Sequence, residues 1–529
     1  MYGKIQGNGL KDSINHKSDV STALVMCCTL VSRILGFVRT AAIGALFGAG
    51  GAADVINLVF NIPNNLRKLL AEGALSTAFI PELSREIAED STGRGSRRLT
   101  QSVLGLQALI ILPILLIALI FPDQILFFFE KFDNPQKKEL SVILFRWIMP
   151  YLLFVSVSAI MMAVHNTHDR FFVPAATPIV FSICVIGSML LWYRQWGPLS
   201  IGFGVLLGGL AQILVQFPSY SGLGYSLLPS LKFKNPAFRR VMRKWAPMLL
   251  TSSLFAVNNQ VAMLLASFLP DKSTSSLAYA IVFFQLPFGI FSASITTVLY
   301  PRMSRQAVSG DNAGLLESLS FGYRNLWALL VPSALVLIML GEPIVSIAFQ
   351  RRAFTFSDTV LTARVLAAYA VGMPFIGLFN ITQRSLYAMG EVRKPLYCAM
   401  GTVALDIVLS VIFVFFTNGS SVSLAWANSI SFIFGSILQF YVMHRISGFR
   451  IDRLTFKTFF KVLTAVSAGV LVILLFYRIM GTGWWQTGSS WKGLGLLFLA
   501  GVCVSGTILA LYAWMKVEAL SIILRKRGI

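Results

Sequence analysis

Residues 103–121 read VLGLQALIILPILLIALIF, with no charged residue and Gln107 as the one polar side chain. A helix needs about 20 apolar residues to cross the hydrocarbon core of a bilayer. Only helices and closed barrels satisfy their backbone there. With its flanks, 101–129, this run is long enough for one span. The same pattern recurs at 21–46, 52–80, 138–164, 172–193, 198–218, 246–269, 275–300, 314–340, 360–389, 396–417, 422–443, 458–480 and 492–515. Across 529 residues the chain is 56% hydrophobic and 12% charged, with a mean hydropathy of +0.73. Soluble domains are about one quarter charged. The expected fold is therefore an all-α polytopic membrane protein of about fourteen transmembrane helices, with no room for a large soluble domain.

Forty-four Lys and Arg against 22 Asp and Glu give a net charge of +22. In a soluble protein that excess would suggest nucleic acid. Here the positive-inside rule accounts for it, no nucleic-acid motif is present, and no nucleic-acid partner is expected. A cytoplasmic N-terminus places Arg94, Arg97, Arg98, Lys232, Lys234, Arg239, Arg240, Arg445, Arg450 and Arg453 on one side, with Arg525, Lys526 and Arg527 at the end. Both termini are then cytoplasmic, in a cytoplasmic (inner) membrane. The run after residue 20 lacks an A-x-A site and reads as a retained helix. The five cysteines lie in apolar stretches without metal or redox spacing. No P-loop and no H-E-x-x-H occurs. The histidines fall in loops or at helix ends, which argues against a histidine proton relay.

The chain also repeats itself. Ile80-Pro81-Glu82-Leu83-Ser84-Arg85 is echoed by Tyr300-Pro301-Arg302-Met303-Ser304-Arg305, Met149-Pro150-Tyr151 by Met373-Pro374-Phe375, and Arg170 with Pro174 by Arg393 with Pro395. Three echoes in order at a nearly constant offset indicate two related six-helix lobes in parallel orientation, as in many transporters. The expected organisation is a cytoplasmic tail at 1–20, an N-lobe at 21–220 and a C-lobe at 240–444. Two added helices follow at 457–517, then a basic tail at 518–529.

Charges within spans mark function. Arg33 and Arg39 lie in the first run, and each costs about 2.5–3.5 kcal/mol at mid-span. A Leu or Ile returns only about 0.3–0.6 kcal/mol, so this helix is not expected to face lipid all round. The second run carries Asp54, Arg67, Lys68 and Glu72. Its Pro63 removes a backbone donor and bends or breaks a helix. An excess of arginine suits an anionic substrate, above all a diphosphate, because the planar guanidinium binds oxygen pairs. Asp54, Glu72 and Asp406 are the carboxylates available for ion coupling. Thr402 stands one turn from Asp406 on the same face, and hard oxygen ligands of this kind suit a small cation. Asn258, Asn259 and Gln260 could supply further partners or simply bond between helices.

The stretch Ser32-Arg33-Ile34-Leu35-Gly36-Phe37-Val38-Arg39, with Phe47-Gly48-Ala49-Gly50 and Ala53-Asp54, resembles the opening of the MurJ (MviN) lipid II flippase family. So do Ile62-Pro63-Asn64-Asn65-Leu66-Arg67-Lys68, Ala71-Glu72-Gly73-Ala74-Leu75-Ser76 and Phe349-Gln350-Arg351-Arg352-Ala353-Phe354-Thr355. The resemblance covers the chain and is weakest in the last two helices. It implies a fold of the multidrug/oligosaccharidyl-lipid/polysaccharide exporter type, with two pseudo-symmetric lobes around a central cationic cavity. The two extra helices would form a groove for the lipid tail. It implies transport of lipid II between leaflets without covalent catalysis, by a monomer, in contact with membrane lipids and the cell-wall synthesis machinery. The substrate-binding positions it implies are Ser32, Arg33, Arg39 and Arg67, supported by Asp54 and Glu72, with Gly36 and Pro63 as hinges. A sodium site would involve Asp406, Thr402 and Asn258; no other cofactor is implied. The chain departs from the family in helix eight. Where Y-A-D-R-L-x-E-L-P is common, it reads Tyr279-Ala280-Ile281-Val282-Phe283-Phe284-Gln285-Leu286-Pro287, so the Asp-Arg pair is missing at Ile281 and Val282. Thr40 also replaces an acidic residue common there. The rivals are an exporter of another polyprenyl-linked glycan or of drugs, a cell-wall membrane enzyme, and a scaffold.

Overall fold

The computed structural model describes the backbone at residues 5–70, 74–90, 92–417 and 419–518. Side chains are described from residue 24 on, except at 26, 74, 77, 246–248 and 250–252. The described residues form eighteen helices and no strand. In order they are α1 (Ile5–Phe47), α2 (Ala52–Leu70), α3 (Ala74–Glu89), α4 (Arg94–Ile120), α5 (Pro122–Leu126), α6 (Pro135–Ile148), α7 (Tyr151–Thr167), α8 (Phe172–Trp196) and α9 (Leu199–Gly222). There follow α10 (Pro236–Ser267), α11 (Ser273–Val308), α12 (Asn312–Met339), α13 (Gly341–Phe349), α14 (Phe356–Ala388), α15 (Arg393–Phe415), α16 (Ser421–Ser447), α17 (Arg453–Met480) and α18 (Trp491–Trp514).

Twelve stretches are long and apolar enough to cross a membrane, α6 and α7 together forming one of them. The more polar α2 and α10, of 19 and 32 residues, fall on the two remaining expected runs and are not among these twelve. α2 carries Asp54, Arg67 and Lys68, and α10 carries Asn258-Asn259-Gln260. Three details differ from the apolar runs. The run 52–80 is covered by two helices, α2 ending at Leu70 and α3 beginning at Ala74. The span in 101–129 stops at Ile120, before Pro122, and the short α5 follows. The stretch 341–359, between the apolar runs 314–340 and 360–389, contains α13.

The chain divides into two compact units, residues 1–42 with 55–260 and residues 43–54 with 261–529. α10 as far as Gln260 therefore belongs to the first unit. Within the first, α8 and α7 pack on α9, and α3 and α4 pack on α7. Within the second, α15 and α14 pack on α16 in the same pattern, and α11, α12 and α13 surround α14. Two of the three repeated proline pairs occupy matching places, whereas Pro150 stands at the break before α7 and Pro374 lies inside α14. Pro174 and Pro395 lie in the first turns of α8 and α15, and Pro81 and Pro301 lie inside α3 and α11.

α17 packs on α12, and α18 on α17. Buried Arg324 of α12 anchors this pair. Its Nε donates to Glu518 Oε2 at 2.7 Å, and Nη1 donates to Thr455 Oγ1 at 3.3 Å. Leu471, Leu475, Phe498 and Val502 point outward from the two helices, as lipid-facing side chains must.

In the first unit α3 is clasped to α10. Buried Glu82 accepts from Arg240 Nε at 2.7 Å and from Lys244 Nζ at 2.6 Å, and Arg240 reaches Glu86 at 3.0 Å. Burial alone would raise the Glu82 pKa, but hydrogen bonds and charge from Arg240 and Lys244 hold it below its ordinary 4.5. The folded state thus favours the carboxylate. The stabilisation is complete above about pH 4.5 and is lost as pH falls through the lowered value. In a melting series from about pH 7 to about pH 3, wild type should melt above Glu82→Gln at neutral pH. The gap should close only in the acid part of the series. A gap constant with pH would mean that the carboxylate charge contributes nothing.

Candidate functional site

The expected arginines are carried by α1 and α2. Arg33 is exposed on α1, with Ser32 half-buried beside it. Gly36 follows, and a Cβ there would meet no atom within 4 Å. The Thr40 hydroxyl donates to the Gly36 carbonyl at 3.1 Å, a back-bond of the kind that bends helices.

Arg39 is half-buried in the first unit and rests on aromatic faces. Its guanidinium carbon is 5.2 Å from the ring centroid of Phe181 (α8) and 5.7 Å from that of Phe60 (α2). Tyr151, at the start of α7, backs both rings, with centroids 5.1 Å from Phe181 and 6.2 Å from Phe60. Two glycines of α9 make room for this packing. A Cβ at Gly208 would lie 2.7 Å from the Phe181 ring, and one at Gly209 would lie 2.9 Å from the Tyr151 ring. Arg67 stands close enough to Arg39 for the two charges to repel, and it donates to Asn64 Oδ1 at 3.0 Å. Neither Arg33 nor Arg39 is paired with a carboxylate among the described residues. Such a cluster attracts anions, and its desolvation strengthens every contact made.

Buried Pro63 sits between Asn61 and Asn65, and both asparagines are tied to α10. Asn259 Nδ2 donates to Asn61 Oδ1 at 3.1 Å and to Asn65 Oδ1 at 3.3 Å. Asn65 Nδ2 donates to Gln260 Oε1 at 3.1 Å. Asn259 and Gln260 are thus interhelical bonding groups, braced on both sides of the point where α2 lacks a donor. Asn258 is buried in the same unit. Glu72 lies outside the described residues.

Asp54 falls in the second unit. Its Oδ2 accepts from the Lys272 N–H at 2.9 Å and its Oδ1 from the Ser275 N–H at 2.8 Å. It therefore caps the first turn of α11, which has no side-chain cap of its own. Around it the α1–α2 turn is fastened within the same unit. Gly51 N–H donates to Asp271 at 3.0 Å, Tyr279 hydroxyl to the Gly48 carbonyl at 2.8 Å, and Ala353 N–H to the Ala45 carbonyl at 3.1 Å. Gly48 has φ +73, and a Cβ there would lie 2.9 Å from the Ala353 carbonyl oxygen. Only glycine fits both conditions.

Asp406 of α15 is buried in the second unit, accepting from Asn428 Nδ2 at 2.8 Å and from Ser410 Oγ at 3.4 Å. Thr402, also buried, donates to the Cys398 carbonyl at 2.8 Å. Among the described residues no three His, Cys, Asp or Glu converge as metal ligands.

A family model described as "Lipid II flippase MurJ" matches residues 43–494. A probable lipid II flippase MurJ of Borreliella burgdorferi is 31% identical over 508 residues, covering 96% of this chain and 98% of that protein. The corresponding protein of Thermotoga maritima is 31% identical over 504 residues, covering 94% and 97%. A solved structure of a lipid II flippase MurJ in an inward closed conformation superposes with a TM-score of 0.77 at 26% identity, covering 93% of this chain and 99% of its own. An inward-facing multidrug transporter of the MATE family superposes at 0.67 with 13% identity over 80% of this chain and 98% of its own, which shows a shared fold.

Proposed function

The chain belongs to the lipid II flippase MurJ family, and on that premise we propose that it moves lipid II by alternating access. The undecaprenyl-diphosphate-linked peptidoglycan precursor would pass from the inner to the outer leaflet of the cytoplasmic membrane. It is a multi-pass membrane transporter and not a covalent catalyst. The observation that supports the reading is Arg39, half-buried in the first unit on the ring faces of Phe60 and Phe181, with no carboxylate paired to it among the described residues. A diphosphate supplies the missing anion. Ser32 lies near the Arg39 face of α1 two turns earlier, and exposed Arg33, turned about 120° from Arg39, would add a further cation along the helix. Gly36, with its Thr40 back-bond, and Pro63, between its braced asparagines, are the bending points.

Both termini are cytoplasmic in this reading, by the distribution of basic loops. Asp406 and Thr402 would supply oxygen donors to a sodium ion. The working unit is a monomer among membrane lipids, delivering substrate to the cell-wall synthesis machinery. An exporter of drugs or of another glycan is disfavoured by the family match over residues 43–494.

Producing this chain in cells depleted of their own lipid II flippase tests the reading. Growth and cell shape should be restored. Membrane-inserted protein that restores neither would overturn it.

A further inference from the structure

A guanidinium inside an apolar span must be held by something, and among the described residues no carboxylate is paired with Arg39. Phe181 and Tyr151 are buried, with exposures of 6% and 3%. Their rings and that of Phe60 are mutually tilted by only 22° to 34°. The Arg39 guanidinium lies within 6 Å of two of the three ring centroids, the range in which a ring face attracts a cation. The glycines at 208 and 209 clear the space behind the rings, so the cradle is built from four helices: α2, α7, α8 and α9.

The chemistry of this support differs from that of an ion pair. A carboxylate would fix Arg39 by occupying its N–H donors and neutralising its charge. A ring face attracts the cation through its quadrupole and carries no net negative charge. Arg39 then keeps its charge and its forked donors for an incoming anion. We infer that Phe60, Phe181 and Tyr151 are positioning residues that aim Arg39 at the diphosphate of the transported lipid. The inference rests on the reading of Arg39 as a diphosphate-binding residue.

The test is binding of lipid II to purified full-length protein, measured for Phe60→Leu and Phe181→Leu, for Phe60→Tyr and Phe181→Tyr, and for Arg39→Ala alone and combined with each leucine change. The leucine variants should bind about fivefold to thirtyfold more weakly, while the tyrosine variants, which restore a ring face, should bind as wild type. In the Arg39→Ala background the leucine changes should add no further loss, because the rings act through the guanidinium. Leucine variants that bind as wild type, or that weaken binding equally without Arg39, would reduce the rings to ordinary packing and overturn the inference. If Arg39→Ala itself binds lipid II normally, the diphosphate reading fails and the cradle falls with it. If only the leucine results fail, that reading stands without the cradle.

Discussion

Arg39→Ala is expected to leave the protein in the membrane and to abolish its support of cell-wall growth. Charge-assisted hydrogen bonds contribute about 1.5–3 kcal/mol each, so lipid II affinity should fall roughly tenfold to a hundredfold. Arg67→Ala should behave similarly, because its charge shares the site. Arg33→Ala removes the third cation. Arg39→Lys keeps the charge but loses the planar fork and much of the ring contact, and should recover only part of the affinity. Membrane content by immunoblot, growth after depletion of the resident flippase and binding by purified protein together check this outcome. Growth sustained by all three alanine variants would remove the arginines from the transport path.

Asp54→Ala should act first on stability. The carboxylate holds two backbone N–H groups at the start of α11 and has an exposure of only 1%. Losing a cap costs about 0.5–2 kcal/mol, and bonds to a charged acceptor raise the loss to about 3 kcal/mol or more. Purified Asp54→Ala should melt clearly below wild type. Asp54→Asn, which keeps one acceptor oxygen, should fall between them. An Asp54→Ala protein that melts as wild type yet no longer supports growth would instead place Asp54 on the substrate.

These two residues show what a linear sequence carries. The cost of Arg39 in an apolar run is visible at once, and so are the twelve apolar spans, because burial in lipid writes itself as local composition. Pro63 is equally legible, since its missing N–H is a property of the residue alone. The partners of these residues are not legible. Asp54 bonds backbone groups 218 and 221 positions away, and a backbone N–H leaves no mark in a sequence. The cradle under Arg39 uses two of 42 phenylalanines, so Phe60 and Phe181 looked like any other apolar residue. Their glycines at 208 and 209 sat in a chain with 41. Asn259 and Gln260 were visible as polar residues in a span. Whether they served an ion or a neighbouring helix depended on Asn61 and Asn65 facing them, which only the fold supplies. The helix α13 is not legible either, because a stretch of nine residues is too short to show a span.

The most direct test of the account is the amount of lipid II exposed at the outer face of cells depleted of their own flippase and supplied with this chain or its Arg39→Ala variant. The account predicts that exposure falls on depletion, returns with the wild-type chain and stays low with the variant. Exposure that persists through depletion, while polymerisation or cross-linking of the precursor fails, would place the protein downstream of translocation and contradict the account.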